Sequence, residues 1–298
     1  MSASTPAPTP VCLWQAGAEL GEGPLWHAPS RSIYFVDIRG RRIHRCAEDG
    51  SARRSWDAPG QPGFIVPLQE GGFVCALDDG LYRFAPDSGV FTSLLPVEAD
   101  IAGNRFNDGH VDMHGKLWFG SMDNAELAPS GALYRLGADG SVVQADSGYI
   151  ISNGPAISPD GKTLYHTDTL AKQVHAFDLL PDGALARKRP FVTIQGSGYP
   201  DGMAVDAAGD VWIALFGGAR IERYTPAGDL AGSIAFPVSN VTKLAFGGFD
   251  LRTVYVTTAW KGLNPAQRAL EPLAGGLFTF RTATPGLAQY AFSLRDLT

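Results

Sequence analysis

The chain has 298 residues, a formal net charge of −6, 45% hydrophobic and 18% charged residues, 36 glycines and 21 prolines. So mild a charge, with Lys and Arg scattered apart from short groups such as Arg39-Gly40-Arg41-Arg42 and Arg187-Lys188-Arg189, argues against nucleic acid as a partner, and no apolar run approaches the length of a membrane span. Abundant Gly and Pro in a chain long enough to bury a substantial core point to many short strands and tight turns.

In chain order, residues 1–10 (MSASTPAPTP) lack a basic region and an apolar signal core, and are expected to be a disordered tail on a cytoplasmic protein. Cysteines 12, 46 and 75 are odd in number, widely spaced and outside any CxxC pattern, so buried free thiols are expected rather than disulfides or a zinc–thiolate site. Val11–Trp14 is the first candidate strand. A recurring strand follows at Ile33–Val36, Phe73–Ala76, Leu117–Gly120, Leu164–Thr167, Val211–Ala214 and Val254–Thr257, at intervals of roughly 40 to 47 residues, the period of a four-stranded propeller blade. Gly71-Gly72, His114-Gly115, Asp160-Gly161 and Ala208-Gly209 supply hairpin turns just before it. A third strand closing on an aromatic recurs at Gly80–Phe84, Ala132–Arg135, Val174–Phe177, Ile221–Tyr224 and Gly276–Phe280. Residues 11–298 are therefore predicted to form one all-β domain, a six-bladed β-propeller, with Val11–Trp14 as the outer strand of the last blade, because otherwise two sheet edges stay unpaired.

Each blade's innermost strand opens on a second pattern: polar residue, Gly, one variable residue, aliphatic. It reads Glu22-Gly23-Pro24-Leu25, Asp108-Gly109-His110-Val111, Asn153-Gly154-Pro155-Ala156 and Asp201-Gly202-Met203-Ala204, with Pro62–Ile65 and Thr242–Ala245 only partly similar. Asn-Gly and Asp-Gly are also common hairpin turns, but every blade already has its hairpin signal at the other end of this strand. One phase of a propeller repeat means one radius and one height, so Glu22, Asp108, Asn153 and Asp201 are expected to ring one end of the channel. Three carboxylates crowded there repel unless a cation compensates, which predicts one divalent metal ion held by oxygen donors, with Fe, Zn, Mn, Ca and Mg as candidates.

At these residues the chain resembles the senescence marker protein/gluconolactonase family of sugar lactonases. The resemblance covers nearly the whole chain and is carried by Gly21–Trp26, Asn104–Gly109, Ile151–Gly154 and Pro200–Met203. It implies Glu22, Asn153 and Asp201 as metal ligands and Arg105 and Asn107 as binders of sugar hydroxyls. Where relatives place a substrate-contacting Glu after the following strand, this chain reads Asp123-Asn124-Ala125-Glu126, which makes Asn124 and Glu126 the candidate contacts. The expected reaction is hydrolysis of a sugar lactone (xylono-, arabinono- or gluconolactone) to the open acid, with Asp201 as the candidate base and a monomer favoured. Other ester hydrolysis, of phosphotriesterase type, and a noncatalytic metal-binding or interaction propeller are the alternatives. No G-x-S-x-G elbow, P-loop or dinucleotide fingerprint is present, and the six histidines show no ligand spacing. Strand direction puts the loops after each second strand on the metal's face; the two long ones, Ser121–Gly131 and Trp260–Gly275, are expected to set ring preference.

Overall fold

Six four-stranded antiparallel sheets account for all the regular strands in the computed structural model, which describes residues 8–294. After β1 (Val11–Trp14), the first blade is β2 (Gly21–His27), β3 (Ser32–Asp37), β4 (Arg42–Ala47) and β5 (Arg54–Asp57). The second is β6 (Phe64–Pro67), β7 (Phe73–Leu77), β8 (Gly80–Ala85) and β9 (Val90–Pro96), and the third β10 (Asn104–Val111), β11 (Leu117–Asp123), β12 (Gly131–Leu136) and β13 (Val142–Tyr149). The fourth comprises β14 (Ser152–Ile157), β15 (Thr163–Asp168), β16 (Gln173–Leu179) and β17 (Leu185–Thr193); the fifth comprises β18 (Tyr199–Val205), β19 (Val211–Phe216), β20 (Arg220–Tyr224) and β21 (Leu230–Ala235). The sixth holds β22 (Asn240–Gly247), β23 (Thr253–Ala259) and β24 (Leu277–Arg281), and β1 completes it by pairing with β24. The innermost strands β2, β6, β10, β14, β18 and β22 touch in cyclic order, so the ring is closed and the fold is the expected six-bladed propeller. Residues 1–7 of the expected tail lie outside the described residues.

The apolar core is divided into six wedges, one per blade interface, and strand alternation explains the division. In β3, Tyr34 and Val36 join the cluster shared with the second blade, while Ile33 and Phe35 join the cluster shared with the sixth. In β11, Leu117 and Phe119 face the second blade and Trp118 the fourth. A middle strand buried on both faces must read as a continuous apolar run, which is why these second strands dominate the repeat signal. Cys46 and Cys75 are buried as expected, whereas Cys12, on the closing strand, is only partly covered; all three are free thiols.

The far end of the channel is closed by the C-terminal segment. It runs from the fifth and sixth blades, where Pro285 O accepts from Ala207 N and Gly286 N donates to Leu251 O, to the second, where Phe292 pairs with Pro67 and Gln69. Leu287, Ala288 and Gln289 floor a small cavity of about 60 Å³. The channel therefore opens at one end only. Among the described residues, no helix is long and apolar enough to cross a membrane.

Candidate active site

The open end is formed by the starts of the innermost strands and by the loops after each second strand. These strands do not run regularly: β2, β10, β14, β18 and β22 each carry a register shift near their start, whereas β6 does not. A bulge re-aims the side chains beside it, and here it turns them into the channel. The registers show which residues share a height. Gly21, Phe106, Ser152, Pro200 and Val241 pair with Asp37, Ser121, Asp168, Leu215 and Thr258, equivalent positions of the five second strands. The residues that follow them are Glu22, Asn107, Asn153, Asp201 and Thr242.

This corrects the expected ring at one blade. Asp108 is one step deeper, level with Gly23, Gly154, Gly202 and Lys243, because His110 and not Val111 lies opposite Trp118. Asn107 takes the place assigned to Asp108. The carboxylate of Asp108 is ion-paired with Lys243.

Glu22, Arg105, Asn107, Asn153 and Asp201 are all buried and all line one cavity of about 260 Å³. A hydrogen-bond chain orders its wall. Arg105 Nη1 donates to Asn107 Oδ1 (2.6 Å), and Asn107 Nδ2 donates to Asn153 Oδ1 and Ser152 O (2.8 Å each). Asn153 Nδ2 donates to Thr169 Oγ1 (2.9 Å), whose hydroxyl donates in turn to Pro200 O (2.9 Å). With its nitrogen held by Thr169, Asn153 has only its oxygen to offer as a ligand. Both amide hydrogens of Asn107 are used, so its free capacity is one lone pair on Oδ1. Arg105 Nε is buried without a partner.

The carboxylates are in the opposite condition. Glu22 accepts from the amide of Gly23 (3.0 Å), and among the described residues Asp201 accepts no hydrogen bond. Burial, with the negative charge of Asp108 added, pushes Glu22 up to about 7. Asp201 is raised well above the usual range by burial and then by Glu22 and Asp108. Two buried carboxylates in no ion pair among the described residues, beside an oriented amide oxygen, form a donor set suited to a hard divalent ion. That set fits the metal expected from the repeat.

Of the loop residues, Glu126 lines the cavity and is ion-paired with Lys261, which also lines it. Glu126 adopts φ 61°, in a turn held by the Asp123 carboxylate accepting the amides of Ala125 (3.1 Å), Leu127 (2.8 Å) and Ala128 (2.7 Å). Asn124 does not line the cavity; its carbonyl oxygen accepts from Arg39 Nη2 (3.0 Å). Sequence reasoning had no signal for Thr169, a lone hydroxyl after a strand, nor for the apolar wall of Met122, Ile151, Tyr199 and Phe216.

A family model described as SMP-30/Gluconolactonase/LRE-like region matches residues 20–260. The chain is 34% identical over 293 residues to an L-arabinolactonase of Azospirillum brasilense, covering 97% of each. It is 32% identical over 285 residues to a 6-deoxy-6-sulfogluconolactonase of Pseudomonas putida, covering 95% of this chain and 98% of that one. Among solved structures, a calcium-binding protein, regucalcin, from Agrobacterium tumefaciens superposes with a TM-score of 0.91 at 26% identity over 96% and 97% of the two chains. A luciferin-regenerating enzyme superposes with a TM-score of 0.89 at 30% identity, over 96% of this chain and 100% of that one.

Proposed function

The chain belongs to the SMP-30/Gluconolactonase/LRE-like family and is a sugar lactonase, a carboxylic ester hydrolase, like the relatives just described; from that premise we propose that it opens an aldonolactone (xylono-, arabinono- or gluconolactone) with one divalent cation held by Glu22, Asn153 and Asp201. The observation that carries this reading is the pair of buried carboxylates, Glu22 and Asp201, in no ion pair among the described residues, at the base of a cavity walled by Arg105. A divalent cation bound there supplies a Lewis acid for the ester carbonyl and acidifies water.

The residues divide the remaining work. Arg105, whose Nε has no partner in the protein, donates to the sugar hydroxyls and holds the ring over the carboxylates. Asn107 fixes Arg105 with its oxygen and Asn153 with its nitrogen, so the substrate and ligand sides of the site share one hinge. Asp201 is the general base: its carboxylate, buried in the cavity wall and in no hydrogen bond with the described residues, takes a proton from water as that water adds to the carbonyl carbon. The ring C–O bond then breaks, and the proton passes from Asp201 to the departing ring oxygen, which becomes a hydroxyl of the open acid.

A panel of aldonolactones with a pH indicator, run with and without chelator, tests this. Acid release from at least one of them, abolished by chelation and restored by a divalent ion, is expected. Arg105→Ala should lower kcat/KM by about a hundredfold while retaining the ion. Failure of the metal-loaded protein to release acid from any aldonolactone would refute the substrate class, and full turnover in chelator would refute the cation.

A further inference from the structure

One step below the ring of Glu22, Asn107, Asn153, Asp201 and Thr242, three of the five bulged strands carry glycine, namely Gly23, Gly154 and Gly202. The other two carry Asp108 and Lys243, on the third and sixth blades, which face each other across the channel. Their side chains meet in an ion pair that leaves the Lys243 side chain 10% and the Asp108 side chain 2% exposed.

The pair is built into the strands that bear the ligand residues. Asp108 accepts from the amides of Gly109 (2.7 Å) and of Gly154 (3.1 Å), the residue after Asn153. The Lys243 stem lies across Gly202, the residue after Asp201; a Cβ there would fall 2.5 Å from Lys243 Cγ, so glycine is what lets the lysine cross the channel.

The charge count gives the arrangement its meaning. Glu22, Asp108 and Asp201 put three carboxylates into one poorly solvated channel, where Lys243 pairs with Asp108 while Arg105, in the cavity wall, pairs with none of them. Asp108 sits one residue below that ring, and its carboxylate contacts the Lys243 ammonium instead of standing with Glu22 and Asp201. A fixed cation below the site cancels the third charge without entering the coordination sphere.

We propose that Lys243 is a tethered counter-cation that withdraws Asp108 from the ion site, keeping a third carboxylate charge out of it and so setting its affinity and its preference for divalent over trivalent ions. This rests on the reading of Glu22, Asn153 and Asp201 as ligands. Lys243 is thus a positioning residue that acts through Asp108, and the pair shapes the empty ion-binding field before any ion arrives.

The test is calorimetric titration of the chelator-treated protein with Ca²⁺, Mn²⁺ and La³⁺, using wild type, Lys243→Met, Asp108→Asn and the double variant. Lys243→Met, which frees a carboxylate, should bind each ion at least about tenfold more tightly, with the largest gain for La³⁺. Asp108→Asn, which leaves an uncompensated ammonium, should bind at least about tenfold more weakly, and the double variant should return to within about threefold of wild type. Should Lys243→Met not fold, the double variant binding more tightly than Asp108→Asn alone carries the same result. Unchanged affinity and valence preference in folded Lys243→Met, or a double variant as weak as Asp108→Asn, would overturn the proposal, the latter by making Asp108 itself a ligand. Wild type that binds none of the three ions would overturn the metal reading, and this one with it; that outcome is distinct from normal binding without coupling.

Discussion

One hydroxyl, Thr169 Oγ1, decides which end of the Asn153 amide faces the cavity. If the amide rotated, a donor nitrogen would point at the proposed cation position and a proposed ligand would be lost. Thr169→Val removes that acceptor at nearly constant volume, and should weaken divalent-ion binding by about tenfold, measured by calorimetry on a protein whose thermal unfolding stays close to wild type. Undiminished affinity would mean that the hydrogen bond from Asn107 alone holds the amide. Glu22, Asn153 and Asp201 were legible as candidates because each precedes a glycine at one phase of a repeat, a pattern visible in the letters. Asp108 matched that pattern equally well and yet lies a step deeper. All five strands share the bulge, but on β10 the Asp-Gly pair sits one position later than the corresponding pair on the others, so matching motifs by their glycines misassigned its height.

At the scale of elements, the two long connections prove to be structured. The third-blade loop is shorter than the sequence suggested, since β11 runs on to Asp123, and that aspartate's carboxylate folds the residues beyond it. The sixth-blade loop contains a one-and-a-half-turn helix, Pro265–Leu270, closed by a capping box between Asn264 and Gln267, with Arg268 over the Trp260 ring at 4.0 Å. Its backbone is fixed at Lys261, whose amide donates to Glu19 O (2.8 Å) and whose carbonyl accepts from Asn240 Nδ2 (3.0 Å). Glu126 and Lys261 then join the two loops over the cavity. Because both residues line it while the metal-ligand candidates lie beneath, exchanging both loops for those of a relative with another ring preference should shift relative kcat/KM among aldonolactones by about tenfold, with ion affinity unchanged. An unaltered preference in a folded, metal-loaded chimera would move specificity down to Arg105 and the apolar wall. That these loops belong to the open end followed from strand direction; that Glu126 meets Lys261 did not, because the two are 135 positions apart and only the closed ring brings them together.

For the whole molecule, closure is the event on which everything else depends. Each apolar wedge is shared by two blades, so no blade has a core of its own, and β1 supplies the last edge by pairing with β24. Starting the chain at Gln15 removes Val11–Trp14, including half-buried Leu13 and Trp14, and exposes the edge of β24. A stability loss of about 3 kcal/mol is expected, seen as a fall in Tm of about 5 °C or more, with a tendency to associate through the bared strand. A Tm unchanged from wild type would show that the sixth blade needs only three strands. The sequence by itself determined the blade number, the strand order within blades, the closing strand and the end of the channel that carries the polar residues, because these rest on local alternation and on a period that repeats. Only the tertiary structure decided that Asn107 rather than Asp108 joins the ring, that Lys243 neutralises Asp108, that Thr169 orients Asn153 and that the C-terminal segment seals the other end. The Lys243–Asp108 pair and the C-terminal seal join different blades, and the β10 register and the Asn153–Thr169 bond depend on strand pairing within one blade; neither kind of proximity has a counterpart along the chain.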